Sequence, residues 1–255
     1  MKTQIVAYTT IVSKEWYRIV RIWPQTIIPP IISTALYFLI FGKVIGSQVQ
    51  TVAGVPYMVF IAPGLILMSV MTNAFSNVVF SFYFAKFQKN LEEILVAPVH
   101  PLTIVLGFIT GGIIRALIIA IISIIVILFF IPATFAHVGV LLSFIIGTAF
   151  LFSLGGLLNA IYATKMDDLS VFTTFILTPL TYFGGVFYSI QSLSPLWQTL
   201  SQYNPILYLI NGFRYGFLGV SDTSLLTSYG VLVGLSLILI IWIYILFKKG
   251  RGLKL

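Results

Sequence analysis

Six segments of the sequence are long and apolar enough to cross a membrane, and short polar stretches separate them. They are 24–42, 56–82, 102–131, 138–163, 171–187 and 226–247. A membrane-spanning helix needs about 20 mostly apolar residues, and only helices or closed barrels satisfy their backbone polar groups inside lipid. The pattern therefore predicts an all-α polytopic membrane protein with six transmembrane helices.

The residues before the first span have the pattern of an amphipathic helix. At a 3.6-residue period, apolar residues share one stripe and mostly basic residues share the opposite one. The apolar stripe is Ile5, Tyr8, Val12, Trp16, Ile19 and Trp23, and the polar stripe is Lys14, Arg18, Arg21 and Gln25. We predict a cytoplasmic interfacial helix over 1–23, followed by a six-span domain over 24–255. The helix over 1–23 either anchors the chain to lipid or forms a cytoplasmic surface that also contacts a partner subunit.

The stretch 188–220, between the last two predicted spans, is too apolar for an ordinary loop. Pro195 and Pro205 divide it into pieces too short to span a membrane, because proline interrupts helical hydrogen bonding. A seventh span here would place the basic C-terminus on the outer side. We therefore predict a pair of outer re-entrant or interfacial helices.

Composition excludes a soluble globular protein and a disordered one. Hydrophobic residues make up 59% of the 255 residues and charged residues only 8%, against roughly 25% charged residues in soluble domains. The net charge of +8 does not indicate nucleic-acid binding, because the basic residues lie in short groups between apolar runs. With no cysteine, and with His100 and His137 far apart, no metal site is predicted.

The basic residues predict the orientation in the membrane. With a cytoplasmic N-terminus, Lys43 and Arg214 lie outside, Arg115 lies within a span, and the others lie inside. The inside residues are Lys2, Lys14, Arg18, Arg21, Lys86, Lys89, Lys165, Lys248, Lys249, Arg251 and Lys254. Because cytoplasmic segments carry the excess of Lys and Arg, both termini are predicted to be cytoplasmic.

The predicted cytoplasmic loop 84–101 contains a short helix with acidic residues in its first turn and an apolar patch after them. Its main residues are Asn90, Leu91, Glu92, Glu93, Ile94, Leu95 and Pro98. Asn90 is predicted to cap the helix, the two glutamates complement the helix dipole, and Pro98 ends the helix. Either the apolar patch docks into the groove of a partner or the helix packs on its own spans.

Polar side chains recur inside two of the spans. Asn73 and Asn77 in the second span, and Thr174 and Thr178 in the fifth, are each separated by four residues. Amide side chains are costly to place against lipid, so we predict that these four residues, together with Arg115 of the third span, line a hydrated translocation path. Helix–helix packing is the other explanation for such stripes.

Arg115 is the one formal charge deep in a predicted span. Gly107 and Gly111 share its face, so Arg115 should point towards a closely packed helix; Gly230 and Gly234 predict a similar close approach in the last span. All 6 carboxylates lie at or beyond span ends, so we expect Arg115 to bind carbonyl groups, water or an anion. A structural role, conformational coupling and contact with an anionic substrate all remain open.

Several of these residues lie in motifs that resemble one known family. The run 90–99, NLEEILVAPV, resembles the cytoplasmic motif of ABC-2 type transport permeases, and 178–188, TPLTYFGGVFY, resembles the end of their fifth span. Asn204 and Pro205, followed by NGFRYG with Arg214, resemble their outer re-entrant segment. Near the N-terminus, 21–30 and Pro63-Gly64 are similar to the YadH-type bacterial inner-membrane permeases of this family. The similarity extends over 16–253.

The resemblance implies the membrane-spanning subunit of an ATP-binding cassette exporter in the bacterial cytoplasmic (inner) membrane. It implies a homodimer with two cytoplasmic ABC ATPase subunits, which contact the helix at 90–98, the coupling helix, and its neighbour, the N-terminal helix. ATP and Mg would bind to the ATPase, and this chain would hold no cofactor. The sequence is consistent with ATP binding to another subunit. A P-loop needs Gly-Lys followed by Ser or Thr, whereas Gly42-Lys43 is followed by Val44.

Two other functions are disfavoured. An ion- or proton-coupled secondary transporter normally needs an acidic residue inside the membrane and often shows an inverted repeat, and neither is evident. A membrane-embedded enzyme needs acid–base groups, but the chain has no cysteine, no paired histidines and no carboxylate inside a predicted span. We therefore predict a non-catalytic chain.

Overall fold

The computed structural model describes residues 2–46, 51–52, 54–131 and 135–253, and this part of the chain is mostly helical. The helices are α1 (Lys2–Arg21), α2 (Trp23–Tyr37), α3 (Tyr57–Phe87), α4 (Asn90–Val96), α5 (Pro101–Leu128), α6 (Val138–Tyr162), α7 (Asp168–Phe172), α8 (Thr178–Tyr182), α9 (Pro195–Gln202), α10 (Pro205–Leu218) and α11 (Leu225–Lys249). Antiparallel strands β1 (Thr51–Val52) and β2 (Val55–Pro56) form a short hairpin. Lys254, counted above as cytoplasmic, lies outside the described residues.

Among the described residues, five segments are long and apolar enough to cross a membrane: Trp23–Gly42, α3, α5, α6 and α11. The chain is thus an all-α polytopic membrane protein, as predicted. The predicted span 171–187 corresponds to a shorter helical stretch in which the π-helical segment Thr173–Leu177 joins α7 to α8. At 1.5 Å per residue this stretch is about 22 Å long, against about 30 Å for the hydrocarbon core. The count of six spans therefore stays a prediction.

Helix α3 lies at the centre of the bundle and is the most buried of the five. It packs against α5, α6 and α10. Over its middle and C-terminal part, its incompletely buried residues include one strip with a spacing of four: Met68, Thr72, Ser76, Phe80 and Phe84. We call this set the open strip of α3.

Helices α1 and α2 form a nearly continuous rod that runs along α5 in the same direction. Contacting pairs advance together along the two: Gln4 with Thr103, Ile11 with Gly107, Glu15 with Gly111, and Phe38, just after α2, with Phe130. The N-terminal helix is therefore docked lengthwise on the bundle.

The side of α1 that packs inward differs from the predicted one. Trp16 and Trp23 of the apolar stripe are exposed, whereas Glu15 is buried and Arg18 is largely covered. The assignment of Arg18 to an outward basic face was wrong. Lipid is as apolar as leucine, so apolar side chains lose little by facing outward, while polar groups gain by pairing inside.

The two glycine pairs behave differently. A Cβ atom on Gly107 would lie 2.7 Å from Ile11, and one on Gly111 would lie 2.7 Å from Glu15, so close packing at this pair is confirmed. A Cβ atom on Gly230 or Gly234 would meet no heavy atom within 4 Å among the described residues. Within the described part of this chain, therefore, no helix approaches that pair closely.

Lys86 is buried, with an exposed fraction of 4%, although it was counted among the loop residues. Its Nζ donates hydrogen bonds to four carbonyl oxygens: those of Ala160, Ile161, Ala163 and Gly252, at 2.8–3.3 Å. The last carbonyl groups of a helix have no partner within the helix. Lys86 therefore caps the end of α6 and holds the segment that follows α11.

Gly111→Ala should loosen α1, and Gly234→Ala should not. A methyl group at residue 111 displaces Glu15, whereas residue 234 has open space and alanine is favoured over glycine in a helix by about 0.5–1 kcal/mol. We expect the melting temperature in detergent, followed by tryptophan fluorescence, to fall by several degrees for Gly111→Ala and to hold or rise for Gly234→Ala. An unchanged melting temperature for Gly111→Ala would contradict the tight packing of α1.

Lys86→Met should destabilise the protein, because it keeps the length of the side chain and removes the donors that cap α6. Each hydrogen bond from a charged group contributes about 1.5–3 kcal/mol, so we expect a net loss of roughly 2–3 kcal/mol in the free energy of unfolding. Lys165→Met is the matched control at an exposed position and should stay within about 0.5 kcal/mol. Equal stability of the two variants in detergent–SDS unfolding would rule out the capping role.

Candidate functional site

A polar network joins α1 to α3 inside the bundle. Glu15 and Arg18 form an ion pair of 2.7 Å, and Arg18 also donates a 2.8 Å hydrogen bond to Oδ1 of Asn77. The Ser81 hydroxyl donates to the Glu15 carboxylate, as does Nδ2 of Asn77 at 3.4 Å. Glu15 is only 1% exposed. A carboxylate buried this deeply is stable only when it is paired and hydrogen-bonded, and these contacts supply both.

Arg115, which belongs to α5, contacts the same side of α3 one helical turn nearer to the N-terminus of α3. Its Nη2 donates a 3.1 Å hydrogen bond to Oδ1 of Asn73, and Asn73 precedes Asn77 by one turn. The sequence predicted carbonyl groups, water or an anion as partners of Arg115, and the observed partner is a carbonyl oxygen, that of the Asn73 side-chain amide. Within the described ranges no carboxylate lies within 4.0 Å of Arg115; the ion pair there is that of Glu15 with Arg18.

A cavity of about 320 Å³ lies between α2, α3 and α5, and its volume is near the lower end of the range for small-molecule sites. Arg115 and Asn73 form part of its wall, together with Gln25, Pro29, Pro30, Ser33, Thr34, Tyr37, Leu65, Met68, Ser69 and Thr72. The hydroxyl groups of Thr34 and Ser69 are hydrogen-bonded across it at 3.2 Å. Beyond one end, Tyr37 bonds to Tyr182 of α8 at 3.0 Å.

The residues predicted to line a path fall in three places. Asn73 and Arg115 line the cavity, and Asn77 lies beside it in the polar network. Thr174 is exposed, and the Thr178 hydroxyl donates to the Thr173 carbonyl at 2.8 Å. The structure does not bring Thr174 and Thr178 into the cavity, because Thr178 satisfies the backbone of its own π-helical turn.

Helix α4 is attached to the bundle on one side and open on the other. Leu91 is fully buried, Ile94 and Leu95 are half-buried, and Val96 is 87% exposed. The interpretation that α4 packs on its own spans holds for Leu91, while docking into the groove of a partner stays a prediction, for which Val96 is the exposed apolar side chain. Glu92 and Glu93 occupy the first turn, as predicted.

The start of α4 differs from the prediction that Asn90 is the cap. Lys89 is the residue before the helix and adopts a left-handed backbone with φ of 61°. Asn90 is already helical, and its side chain donates to that of Gln88 instead. The residue at the capping position is therefore Lys89, in the turn that follows α3, and its side chain does not cap the helix.

Gln4 ties the end of the α4 segment to α1. Its Nε2 donates to the Pro98 carbonyl at 3.1 Å, and its Oε1 accepts from the His100 backbone N–H at 2.9 Å and from the Thr103 hydroxyl at 2.8 Å. Helix α1 thus connects α4 at one end with the Glu15 network at the other. Sequence reasoning missed both Gln4 and Glu15; the three-residue spacing of Glu15 and Arg18 was the available signal for the second.

The segment around α10 is a structural support. Arg214 is 1% exposed, donates to the Gly185 carbonyl at 2.6 Å, and lies 4.0 Å from the ring centroid of Phe60. Asn204 accepts from the backbone N–H two residues later and so caps α10, which begins at Pro205. In the described chain these groups are used by protein contacts and do not form an open site.

The comparisons with known proteins agree with the resemblance seen in the sequence. Residues 6–218 match the family described as ABC-2 type transporter. The chain is 51% identical over 250 residues to the inner membrane transport permease YadH of Escherichia coli K12, which covers 98% of this chain and 97% of that protein. The permease of the same name from Shigella flexneri gives the same values.

A more distant relative is nodulation protein J of Sinorhizobium fredii, strain NBRC 101917 / NGR234. It is 26% identical over 206 residues, which cover 78% of each chain. Because the family match extends over most of the sequence and the Escherichia coli relative over nearly all of it, this chain belongs to the ABC-2 type transporter family, as a transport permease, the membrane subunit of an ABC transporter.

Proposed function

We propose that this chain is the membrane-spanning subunit of an ATP-driven exporter in a bacterial inner membrane. It works as a homodimer with two separate ATPase subunits, which bind ATP and Mg, while the chain itself is non-catalytic and holds no cofactor. The observation that carries the proposal is α4, which has an exposed apolar end at Val96 and is tied through Gln4 and α1 to the polar cavity. The family and the name of the Escherichia coli relative support it.

In this proposal α4 and both termini are cytoplasmic. Support comes from the basic residues around the ends of α1, α3 and α11, since such residues accumulate on the cytoplasmic side. The helical stretch from α7 to α8 is a short fifth span, which would bring the number of spans to six.

Helices α9 and α10 form the outer re-entrant pair of the proposal. Support comes from the packing of α10 along α6: Gly216 lies against Leu141 and Gly212 against Phe144. At its other end, Pro205 shares a cavity wall with Leu151, near the middle of α6. Helix α10 therefore accompanies only the first half of α6, as a re-entrant helix does.

Force from the ATPase enters at α4 and reaches the cavity through α1. Leu91 is buried against the bundle, so α4 moves as a rigid body. Gln4 then transmits the displacement of α4 to α1. Because Glu15 and Arg18 connect α1 to α3, the displacement alters the wall of the cavity near Asn73. Rigid helices that shift against one another are a common way to transmit such changes.

A secondary transporter driven by protons or ions is the alternative, and one observation favours it. Glu15 is a buried carboxylate, a type of residue that the sequence did not place inside the bundle and that proton relays use. However, its ion pair with Arg18 and its hydrogen bonds give it a sufficient structural role. Transport that persists after ATP depletion would support this alternative.

Val96→Asp should disrupt binding of the ATPase, because it places a charge in the apolar contact proposed for α4. Leu226→Asp is the matched control: Leu226 is 84% exposed and begins α11, away from α4. We expect an affinity-tagged Val96→Asp chain, co-expressed with its partner ABC ATPase, to retain less than about a tenth of the wild-type ATPase, a loss of about 1.4 kcal/mol or more in binding.

The control should retain the ATPase at the wild-type level, and both variants should insert into the membrane normally. The readout is the ratio of the two subunits after purification, together with vanadate-sensitive ATP hydrolysis. Equal retention by Val96→Asp and Leu226→Asp would refute the assignment of α4 as the coupling helix.

A further inference from the structure

The region between α1, α3 and α5 contains more positive than negative charge. Arg18 and Arg115 contribute two positive charges along one side of α3, and Glu15, paired with Arg18, contributes one negative charge. Within the described residues no second carboxylate balances Arg115. A guanidinium largely removed from water is stable only with a counter-charge or with full hydrogen bonding. The cavity therefore lacks one negative charge.

Arg115 also has unused hydrogen-bond donors. A guanidinium group carries five N–H donors in a planar fork. Among the described residues, Arg115 bonds through Nη2 to Asn73, while its Nε is buried without a partner. Planar forks of this kind bind phosphate and carboxylate groups with two parallel hydrogen bonds.

The wall of the cavity offers two more polar side chains. Gln25 and Ser33, on α2, both line it and are exposed. The hydrogen bonds of the described chain use neither side chain, in contrast to Thr34 and Ser69, which bond to each other. Their amide and hydroxyl donors are therefore available to an acceptor bound beside Arg115.

The cavity extends along α2 from the end at which Arg115 lies. Helices α2 and α3 run in opposite directions, because Thr34 pairs with Ser69 while Gly42, after α2, lies against Met58. Gln25 thus lies at the Arg115 end. Tyr37 lies about 18 Å further along α2, at 1.5 Å per residue.

The size of the cavity suits a head group rather than a whole lipid. A volume of about 320 Å³ corresponds to roughly ten water molecules. Beside it, Ile32 and Leu36 of α2 are half-exposed apolar residues, so an apolar chain attached to the bound group has a surface on which to lie.

We propose that Arg115 binds the anionic group, a phosphate or a carboxylate, of an amphiphilic substrate whose apolar part lies along α2. The inference rests on the proposed transport function only in calling this ligand a substrate. Binding itself requires neither the ATPase nor transport. It can therefore be measured on this chain alone.

The test is native mass spectrometry of the purified chain in detergent with two lipids of equal tails, dioleoyl phosphatidic acid and dioleoyl phosphatidylcholine. We expect the phosphatidic acid to bind at one saturable site, about tenfold or more tightly than the phosphatidylcholine. Arg115→Gln should weaken this binding by about tenfold or more, the loss of a charge-assisted hydrogen-bond pair. Lys248→Gln removes the same charge at an exposed position and should leave the affinity within about twofold.

Competition with inorganic phosphate distinguishes a free phosphate ligand from a phosphate attached to an apolar chain. If millimolar phosphate displaces the phosphatidic acid, and this depends on Arg115, the ligand is a free or small phosphorylated anion, and the amphiphilic part of the proposal is overturned. If phosphate does not displace it, the attached apolar chain is required and the ligand is an amphiphile. Binding of phosphatidic acid to Arg115→Gln as tightly as to the wild type would overturn the proposal, as would equal affinity for the two lipids.

Two milder variants keep the test decisive if Arg115→Gln fails to fold. Arg115→Lys retains the charge and removes the fork, and Ser33→Ala removes a free hydroxyl from the cavity wall. Each should weaken binding of phosphatidic acid by about threefold to tenfold. Wild-type affinity in both would overturn the proposal. Because no ATPase is present, such a failure would leave the role of α4 unaffected, and loss of ATPase binding in Val96→Asp would leave Arg115 unaffected.

Discussion

The arrangement of the N-terminal half depends on one buried contact, the ion pair of Glu15 with Arg18 and its hydrogen bonds to Asn77 and Ser81. Hydrophobicity cannot hold helices together in lipid, because the surroundings are as apolar as the helix surfaces. Removing one partner of a fully buried ion pair typically costs about 3–5 kcal/mol, and the cost here is smaller because the Arg18 side chain is 27% exposed. The contact therefore fixes α1 to α3 in a single register, and the close approach at Gly111 leaves room for it.

The same contact holds α1 between the α4 segment and the cavity. One end of α1 is held to the segment after α4 by Gln4, and the other lies beside the cavity that Asn73 and Arg115 line. Lys86 and Arg214 satisfy backbone carbonyl groups elsewhere in the bundle. Internal cations thus secure the chain at several points, and Arg115 differs from Lys86 and Arg214 because it lines the cavity between α2, α3 and α5.

The sequence predicts the long helices well, since about 20 consecutive apolar residues permit few other structures. It also predicts the place of α4 and the close packing of Gly107 and Gly111, because both follow from local patterns. Partners across the bundle are harder to predict. A stripe of small residues defines a face but not its neighbour, and Gly230 and Gly234 consequently have open space instead of a helix.

Charge patterns were ambiguous for a related reason. The count of basic residues predicts the side of the membrane, not burial, so it assigns Arg18 and Lys86 to aqueous surfaces, although Lys86 is buried and Arg18 is only 27% exposed. Thr174 and Thr178 matched the spacing of a polar path, but the π-helical turn between α7 and α8 alters the directions of its side chains and uses the Thr178 hydroxyl. Hydrophobic periodicity does not reveal such a turn.

The central claim is that nucleotide binding by a separate ATPase changes the cavity beside Asn73. The chain contains no cysteine, so a single cysteine at Thr72, in the cavity wall and on the open strip of α3, reports on that cavity alone. Its rate of labelling by a water-soluble maleimide can be measured in vesicles that contain the chain and its ATPase. The account predicts a severalfold difference in rate between the nucleotide-free and the ATP–vanadate states. Equal rates in the two states would contradict it.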